Sequence, residues 1–235
     1  RIFLLGLLEF ENPKVVLPSG YKHMGYIRQS LEFFPNITFS FLEDGRVYKF
    51  RELFWISQMG EPYQFNSPLI TNFRSFMTSF SKKSFQASKM RLYISRKKAS
   101  KRKILNENEV ESLLRKYGFE TVCMEDYSFK EQMEMCSQSE IIIGPHGAGL
   151  TNMVFLPEDS FVLELQKWMS WPSCFYRLAH ALDLNYYYLF CKHYPEQEQR
   201  ETLADLYVDL NVLESLVENM VRDCETKTGS SPQAN

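Results

Sequence analysis

Residues 140–152, EIIIGPHGAGLTN, constrain this chain more than any other stretch. Ile141, Ile142 and Ile143 are consecutive β-branched residues, a run that fits a strand buried on both faces. Gly144 ends the run, and Pro145-His146-Gly147-Ala148-Gly149 follows as a loop. Residues 150–156 are apolar enough to begin a packed helix. A buried strand, a Gly-rich turn and a helix N-terminus together make an anion site, because unpaired backbone N–H groups and the positive end of the helix dipole converge on the loop. The glycines let a ligand approach the backbone, and histidine is the residue type whose charge varies near neutral pH. A plain strand-to-helix turn with a surface histidine has the same spacing, so the rest of the chain has to decide between the two.

Strand and helix patterns alternate around this stretch. KVVLP at 14–18 reads as a buried strand ended by proline. Residues 21–34 carry Met24, Ile27, Leu31 and Phe34 at helical spacing, and 37–42 alternate as a second strand before a Glu43-Asp44-Gly45 turn. Residues 47–57 are expected to form one long strand or two. Residues 61–68 read as a loop, 69–80 as a helix and 81–89 as a polar link. Beyond the link, strands are predicted at 91–95, 119–124, 141–143, 161–165 and 186–190. Asn106 with Glu109 and Ser128 with Glu131 have capping-box spacing, Gly118 marks a helix stop, and Ser173 marks another N-cap. Leu213, Leu216, Val217 and Met220 form the stripe of a C-terminal helix. The pattern predicts an α/β fold of two lobes, at 1–85 and 86–228, with a polar tail at 229–235. The second lobe is expected to hold a parallel five-stranded sheet with helices on both faces.

Ligands of such sheets bind beyond the carboxyl ends of the strands, where strand order reverses. Three loops fall there: residues 96–103, residues 144–149, and the segment after Glu164. The first, RKKASKRK, has six positive charges in eight residues. With a 2-1-3-4-5 strand order, Arg96 or Arg102 faces the 144–149 loop, and guanidinium groups beside backbone N–H groups make a diphosphate site. Glu164 near its strand end suits the paired hydroxyls of a ribose, with a capping or salt-bridged glutamate as the alternative. The chain lacks G-x-x-x-x-G-K-[ST], G-x-G-x-x-G, G-x-S-x-G and D-x-D, which removes P-loop ATPase, dinucleotide-fold and lipase-type readings and a carboxylate pair for a nucleotide-bound metal.

Composition narrows the field further. The 235 residues suffice for one large domain or two small ones, and 44% hydrophobic with 24% charged residues is ordinary globular composition. The net charge of -2 argues against a general nucleic-acid or membrane-surface binder, and the 96–103 run has no interleaved aromatics. The apolar run at 2–8 is too short to span a bilayer, no signal-peptide pattern appears, and Arg1 reads as a mid-domain start. Five cysteines without a C-x-x-C pair favour reduced thiols in a reducing compartment and give no sign of zinc. The expected location is therefore the cytoplasm, including the inner face of the membrane, with the secretory-pathway lumen as the alternative for a eukaryotic source. The sequon Asn36-Ile37-Thr38 is a weak pointer to secretion.

In order along the chain, Ser95-Arg96, Arg102, Asn106-Glu107, Glu109, Glu131-Gln132, Gly144-Pro145-His146-Gly147-Ala148, Leu150-Thr151-Asn152 and Val162-Leu163-Glu164 resemble glycosyltransferase family 61. Val208-Asp209-Leu210 with Leu213 is similar to that family's C-terminal end. The family includes capsule and lipopolysaccharide transferases, plant xylosyl- and arabinosyltransferases and animal N-acetylglucosaminyltransferases. The resemblance implies two Rossmann-like lobes in a GT-B-like fold, with the acceptor side in 1–85 and the donor side in 86–228. It also implies inverting transfer from a nucleotide sugar, taken as UDP-linked, to a glycan or glycolipid hydroxyl, with no cofactor and no obligatory metal. The donor role carries to Arg96, Arg102, His146, Gly147, Ala148, Asn152 and Glu164. Gly144, Gly149 and Thr151 complete the candidate donor loop, and His146 is the candidate catalytic residue. Members usually carry a His-Trp motif just ahead of a segment that looks like the start of this chain, so part of the acceptor lobe is expected upstream. A non-catalytic nucleotide- or phosphate-binding module, or a degenerate relative, is the alternative.

An inverting transferase needs a base for the acceptor hydroxyl and positive charge for the departing diphosphate. Arg96, Arg102 and His146 meet the second need, while His23, Glu43 and Asp44 meet the first on residue type alone. With guanidinium groups standing where a cation otherwise sits, UDP is expected to bind without Mg²⁺ or Mn²⁺. Calorimetric titration with and without EDTA checks this, and loss of UDP binding in EDTA refutes it.

Overall fold

The computed structural model describes Phe3 and residues 13–54, 64–81, 90–167, 173–193 and 205–229. The expected features at 55–63 and 82–89, most of the apolar run at 2–8, the segment at 168–172 and the tail past Gly229 lie outside these residues.

The chain runs through β1 (Lys14–Leu17), a 3₁₀ turn (Ser19–His23), α1 (Gly25–Leu31) and β2 (Thr38–Phe41). β1 and β2 are parallel, Lys14 beside Thr38 through Leu17 beside Phe41. The helix expected over 21–34 is shorter because the 3₁₀ turn takes its first residues, and Pro35 disfavours helical geometry just before it. No strand forms over 47–54, where Val47 is 100% exposed and has nothing to pack against.

α2 (Ser67–Thr78) starts where Asn66 Oδ1 accepts the Leu69 N–H at 3.0 Å and Pro68 occupies the first turn. Its buried Arg74 donates to the carbonyls of Leu156 (3.3 Å) and Leu182 (3.2 Å) and pairs with Glu158 (2.6 Å). Those contacts tie the helix to the second half of the chain. Gln29 of α1 makes a similar link by accepting the Phe129 N–H at 2.7 Å.

The second half holds β3 (Met90–Ile94), α3 (Glu107–Lys116), β4 (Phe119–Val122), α4 (Phe129–Ser137), β5 (Ser139–Pro145), β6 (Phe161–Lys167), α5 (Cys174–Ala181), β7 (Asn185–His193), β8 (Leu206–Tyr207) and α6 (Leu210–Gly229). The strand order is β4-β3-β5-β6-β7-β8. Neighbours from β4 to β7 pair in parallel, whereas β8 runs antiparallel to β7. The sheet is thus six-stranded and mixed, which corrects the expectation of five parallel strands alone. Two-residue β8 is too short to show in a periodicity, and Leu206 is held from outside the sheet, its N–H on Lys103 O at 2.8 Å.

Alternation along the strands splits the core in two. Leu92, Ile94, Ile142 and Val162 pack with Met133 and Cys136 of α4 and with Phe175, Leu178 and Ala179 of α5. Tyr93, Ile141, Ile143, Leu163 and Leu165 pack with Val110, Leu113 and Leu114 of α3 and with Leu213, Val217 and Met220 of α6. Helices therefore cover both faces, which is why these strands read as near-continuous apolar runs.

The Ser128–Glu131 capping box is present in both directions. The other two caps are not. Arg177 Nε donates to Ser173 Oγ at 3.1 Å, and the Ser173 hydroxyl makes no cap bond. Asn106 turns its amide to the backbone of Val208, donating from Nδ2 to the carbonyl (2.9 Å) and accepting the N–H at Oδ1 (3.0 Å). A cap bond uses one atom of the amide, whereas the Val208 pair satisfies both in a buried place. Asn106→Ala strands the N–H and C=O of Val208 and is expected to cost about 2–4 kcal/mol of stability. Urea denaturation measures this, and an unchanged midpoint overturns it.

Candidate functional site

β3 and β5 are neighbours from which the chain departs in opposite directions across the sheet, so their carboxyl ends form the switch point. Two loops meet there. Past Ile94, Ser95 Oγ accepts the Lys97 N–H at 3.1 Å and starts a tight turn closed by Ala99 N–H on Arg96 O at 2.9 Å. The turn folds back so that Arg96 Nη2 reaches Lys101 O (3.2 Å) and Arg102, at φ 59, reaches His146 O through Nη1 (3.1 Å).

The second loop is equally constrained. The His146 N–H donates to Leu165 O at 2.9 Å, which carries the β5–β6 ladder one residue beyond the strand. A Cβ at Gly147 would lie 2.4 Å from Arg96 Nη1, and one at Gly149 would lie 2.9 Å from Ile94 Cγ2. At Gly144 the distance to Ile94 Cβ would be 3.1 Å. Gly144 and Gly149 thus fit against Ile94 of β3, and Gly147 against the end of the Arg96 side chain. Gly147 itself is extended, at φ 168, so its backbone angles are open to any residue and only contact with Arg96 demands glycine.

Among the described residues neither Arg96 nor Arg102 pairs with a carboxylate, and the Nε atom of each is buried without a hydrogen-bond partner. Burial, then the charge of Arg102, pulls Arg96 below the ordinary arginine range. Two neighbouring cations with buried unmade donors are costly by themselves, even with Glu125 opposing, and a multivalent anion would satisfy both charge and donors.

The His146 ring turns toward the next strands. Its Nδ1 bonds to Oε1 of Glu164 on β6, and the other oxygen of Glu164 accepts from the Tyr186 hydroxyl on β7. Phe175 of α5 meets the imidazole edge-on at 5.1 Å. Glu164 is 3% exposed and each of its oxygens already has a side-chain partner, which is the salt-bridged alternative expected for it. Burial first, then the charge of Glu164, drives the Tyr186 phenol far above its ordinary value and keeps it a donor.

Asn152 departs from expectation in the same way. It is buried, and its Nδ2 donates to Gln132 Oε1 at 3.0 Å; Gln132 Nε2 in turn donates to Met124 O (2.9 Å) and Tyr127 O (3.1 Å). It supports the loop after β4. Ala148 and Thr151 are exposed at the mouth of the loop. The segment after it, Ala148–Phe155, is a 3₁₀ helix, which corrects the expected helix and supplies a weaker, shorter alignment of dipoles. The base candidates are engaged at the surface: Glu43 pairs with Arg46 (2.6 Å), Asp44 accepts from Ser19 (2.6 Å), and His23 is exposed.

Tyr186, Phe175 and Gln132 have no site role in the sequence reading. Tyr186 was within reach of it, since period-two alternation across β6 and β7 puts Tyr186 on the face that carries Glu164. No feature of local sequence marks Phe175.

The family model for glycosyltransferase 61 matches residues 7–163, across both loops of the switch point. The chain belongs to the glycosyltransferase 61 family. Relatives include the EGF domain-specific O-linked N-acetylglucosamine transferase of Gallus gallus, 32% identical over 139 residues, which are 52% of this chain and 26% of the relative. The Bos taurus protein of the same description is 31% identical over the same shares. That of Drosophila melanogaster is 35% identical over 97 residues, 40% of this chain and 18% of the relative. The chain thus spans about a quarter of the length of the curated relatives it matches. No helix of the described residues is long and apolar enough to cross a membrane.

Gly147→Ala places a methyl group against the Arg96 guanidinium. The tip of a long side chain can move aside, so the cost in stability is expected to stay near about 1 kcal/mol or below. Affinity for pyrophosphate is expected to fall about tenfold or more, since one charge-assisted contact is worth about 1.5–3 kcal/mol. Thermal melting and calorimetry together check this; equal pyrophosphate affinity in the variant refutes it.

Proposed function

We propose that this chain carries the nucleotide-sugar-binding part of an inverting, metal-independent glycosyltransferase with two lobes arranged as in GT-B enzymes. In this reading the Rossmann-like donor lobe is 86–228 and the acceptor side lies in 1–85. The observation that carries it is the pair of carboxylate-free guanidinium groups, Arg96 and Arg102, bracketing the 144–149 loop at the switch point.

The donor is a nucleotide sugar, taken as UDP-linked. Its diphosphate lies against the 144–149 loop, where Arg96 and Arg102 offset its charge and take the place a divalent cation fills elsewhere. His146 contacts a phosphate oxygen through Nε2, and that contact strengthens as the glycosidic bond breaks and charge moves onto the leaving group. Ala148 and Thr151, exposed at the mouth of the loop, line the approach. The acceptor hydroxyl attacks from the opposite face and loses its proton to a base outside this donor loop. The relatives' description favours N-acetylglucosamine as the sugar and adds a protein hydroxyl to the glycan and glycolipid acceptors.

Location follows the acceptor. EGF modules are small, disulfide-dense secreted domains, which favours the secretory-pathway lumen over the cytoplasm. The odd cysteine count does not oppose this. No disulfide joins the five cysteines among the described residues, and burial pushes Cys136 and Cys191 to about 12 and Cys224 to about 11, so these three are poor thiolates in either compartment.

A screen of UDP-sugars for transfer or hydrolysis by the full-length protein tests the reading, with UDP-N-acetylglucosamine as the expected donor. Arg96→Ala is expected to weaken UDP binding about tenfold or more. His146→Ala is expected to slow transfer about a hundredfold or more, the loss of one preorganised donor, in a protein that still folds but melts lower because buried Glu164 loses a partner. Full transfer by a folded His146→Ala protein makes the histidine a bystander.

A further inference from the structure

We infer that Glu164 and Tyr186 are positioning residues that fix the ring of His146 with Nε2 toward the ligand, an inference that rests on the reading of His146 as a diphosphate contact. Three successive strands supply the line: His146 from the end of β5, Glu164 from β6 and Tyr186 from β7. Each link has one direction. The phenol has only a hydrogen to give to a carboxylate, so Tyr186 donates to Glu164 and holds it as an acceptor. The remaining oxygen of Glu164 then requires a donor, so the bonded Nδ1 of His146 carries hydrogen. Nε2 is left without a protein partner among the described residues.

Burial follows the same line. The His146 side chain is 27% exposed and that of Glu164 is 4% exposed, so the ring opens to the outside only beyond the carboxylate. Phe175 closes the ring edge, and the His146 backbone is clamped on both sides, N–H to Leu165 O and O to Arg102 Nη1. With backbone and Nδ1 both held, the imidazole has no rotation left that keeps these bonds.

The arrangement has a chemical consequence. With Nδ1–H on the carboxylate, Nε2 can donate to a phosphate oxygen only when it too carries hydrogen. The ring is then a cation, and Glu164 is its buried counter-charge, placed away from the ligand so that the net positive field of Arg96 and Arg102 still faces the anion. A carboxylate that orients a histidine through Nδ1 without touching substrate is a known device of hydrolytic enzymes. Here it serves charge development on a leaving group. The family match ends at residue 163, so neither Glu164 nor Tyr186 is within the matched segment.

The test uses the full-length protein with ¹⁵N-labelled histidine and UDP as the probe. In the wild type, the His146 Nδ1 signal is expected in its protonated position before UDP is added, and the Nε2 signal to move on binding. Glu164→Gln keeps the shape and removes the charge. It is expected to shift the Nδ1 signal in the free protein and to weaken UDP binding about tenfold to a hundredfold, the usual loss when an orienting partner is removed. Tyr186→Phe removes one oxygen atom and decides the matter if the glutamine variant does not fold; a smaller shift in the same direction is expected. Unchanged His146 ring signals in a folded Glu164→Gln or Tyr186→Phe protein overturn the inference. If these variants alter the ring signals while His146→Ala binds UDP normally, the positioning stands and the diphosphate role of His146 falls.

Discussion

The pairing of β3 with β5 is the constraint on which the rest of the site depends. Tyr93 lies beside Ile143, and both chains leave the sheet at the same level but in opposite directions. Arg96 and Gly147 are thereby forced to share one space, so closely that no Cβ fits between them. The guanidinium lies against a bare backbone, in direct contact with no carboxylate of the described residues, and the nearby charge of Glu125 eases its position only in part. Like charge on Arg102 adds to the cost. Hydrophobic burial of the Ile141–Ile143 run holds this unfavourable electrostatic arrangement in place, because a register slip would expose residues that are now 0% accessible.

Two layers of polar contacts stand behind that space and do different work. Asn152, Gln132 and the carbonyls of Met124 and Tyr127 fix the loop after β4, and Asn106 fixes the backbone of Val208. These bonds are amide to amide or amide to backbone and carry no net charge. The Tyr186–Glu164–His146 line does carry charge, and it ends at the one ring nitrogen left free. Under the proposed reading, a neutral frame around a charged line lets the site meet an anion without rearranging its support.

The site also shows how a family resemblance transfers unevenly. The motif residues Glu164 and Asn152 are where the resemblance places them, but both side chains turn inward. A motif records that a residue is needed, and burial and partners decide whether it is needed for ligand or for scaffold. The side chains of Glu164 and Asn152 are buried with side-chain partners, while those of Arg96, Arg102 and His146 are only partly buried at the two loops.

By itself the sequence determined the order of strands and helices in the second half, the buried character of the sheet, the capping box at Ser128 and the convergence of two loops on one edge. These follow from local terms, namely β-branched runs, helical stripes and turn residues, that act over a few positions and are read directly. It was silent on β8, whose two residues leave no period to detect, and misleading on Asn106 and Ser173, whose local cap geometry lost to a better-satisfied distant or neighbouring partner. Tertiary structure alone decided that Gly147 is required by Arg96 rather than by its own backbone angles, that the segment after it is a 3₁₀ helix, and that Glu164 serves His146. The first and last of these join residues 51 (147 − 96) and 18 positions apart, and such contacts exist only once the sheet has closed.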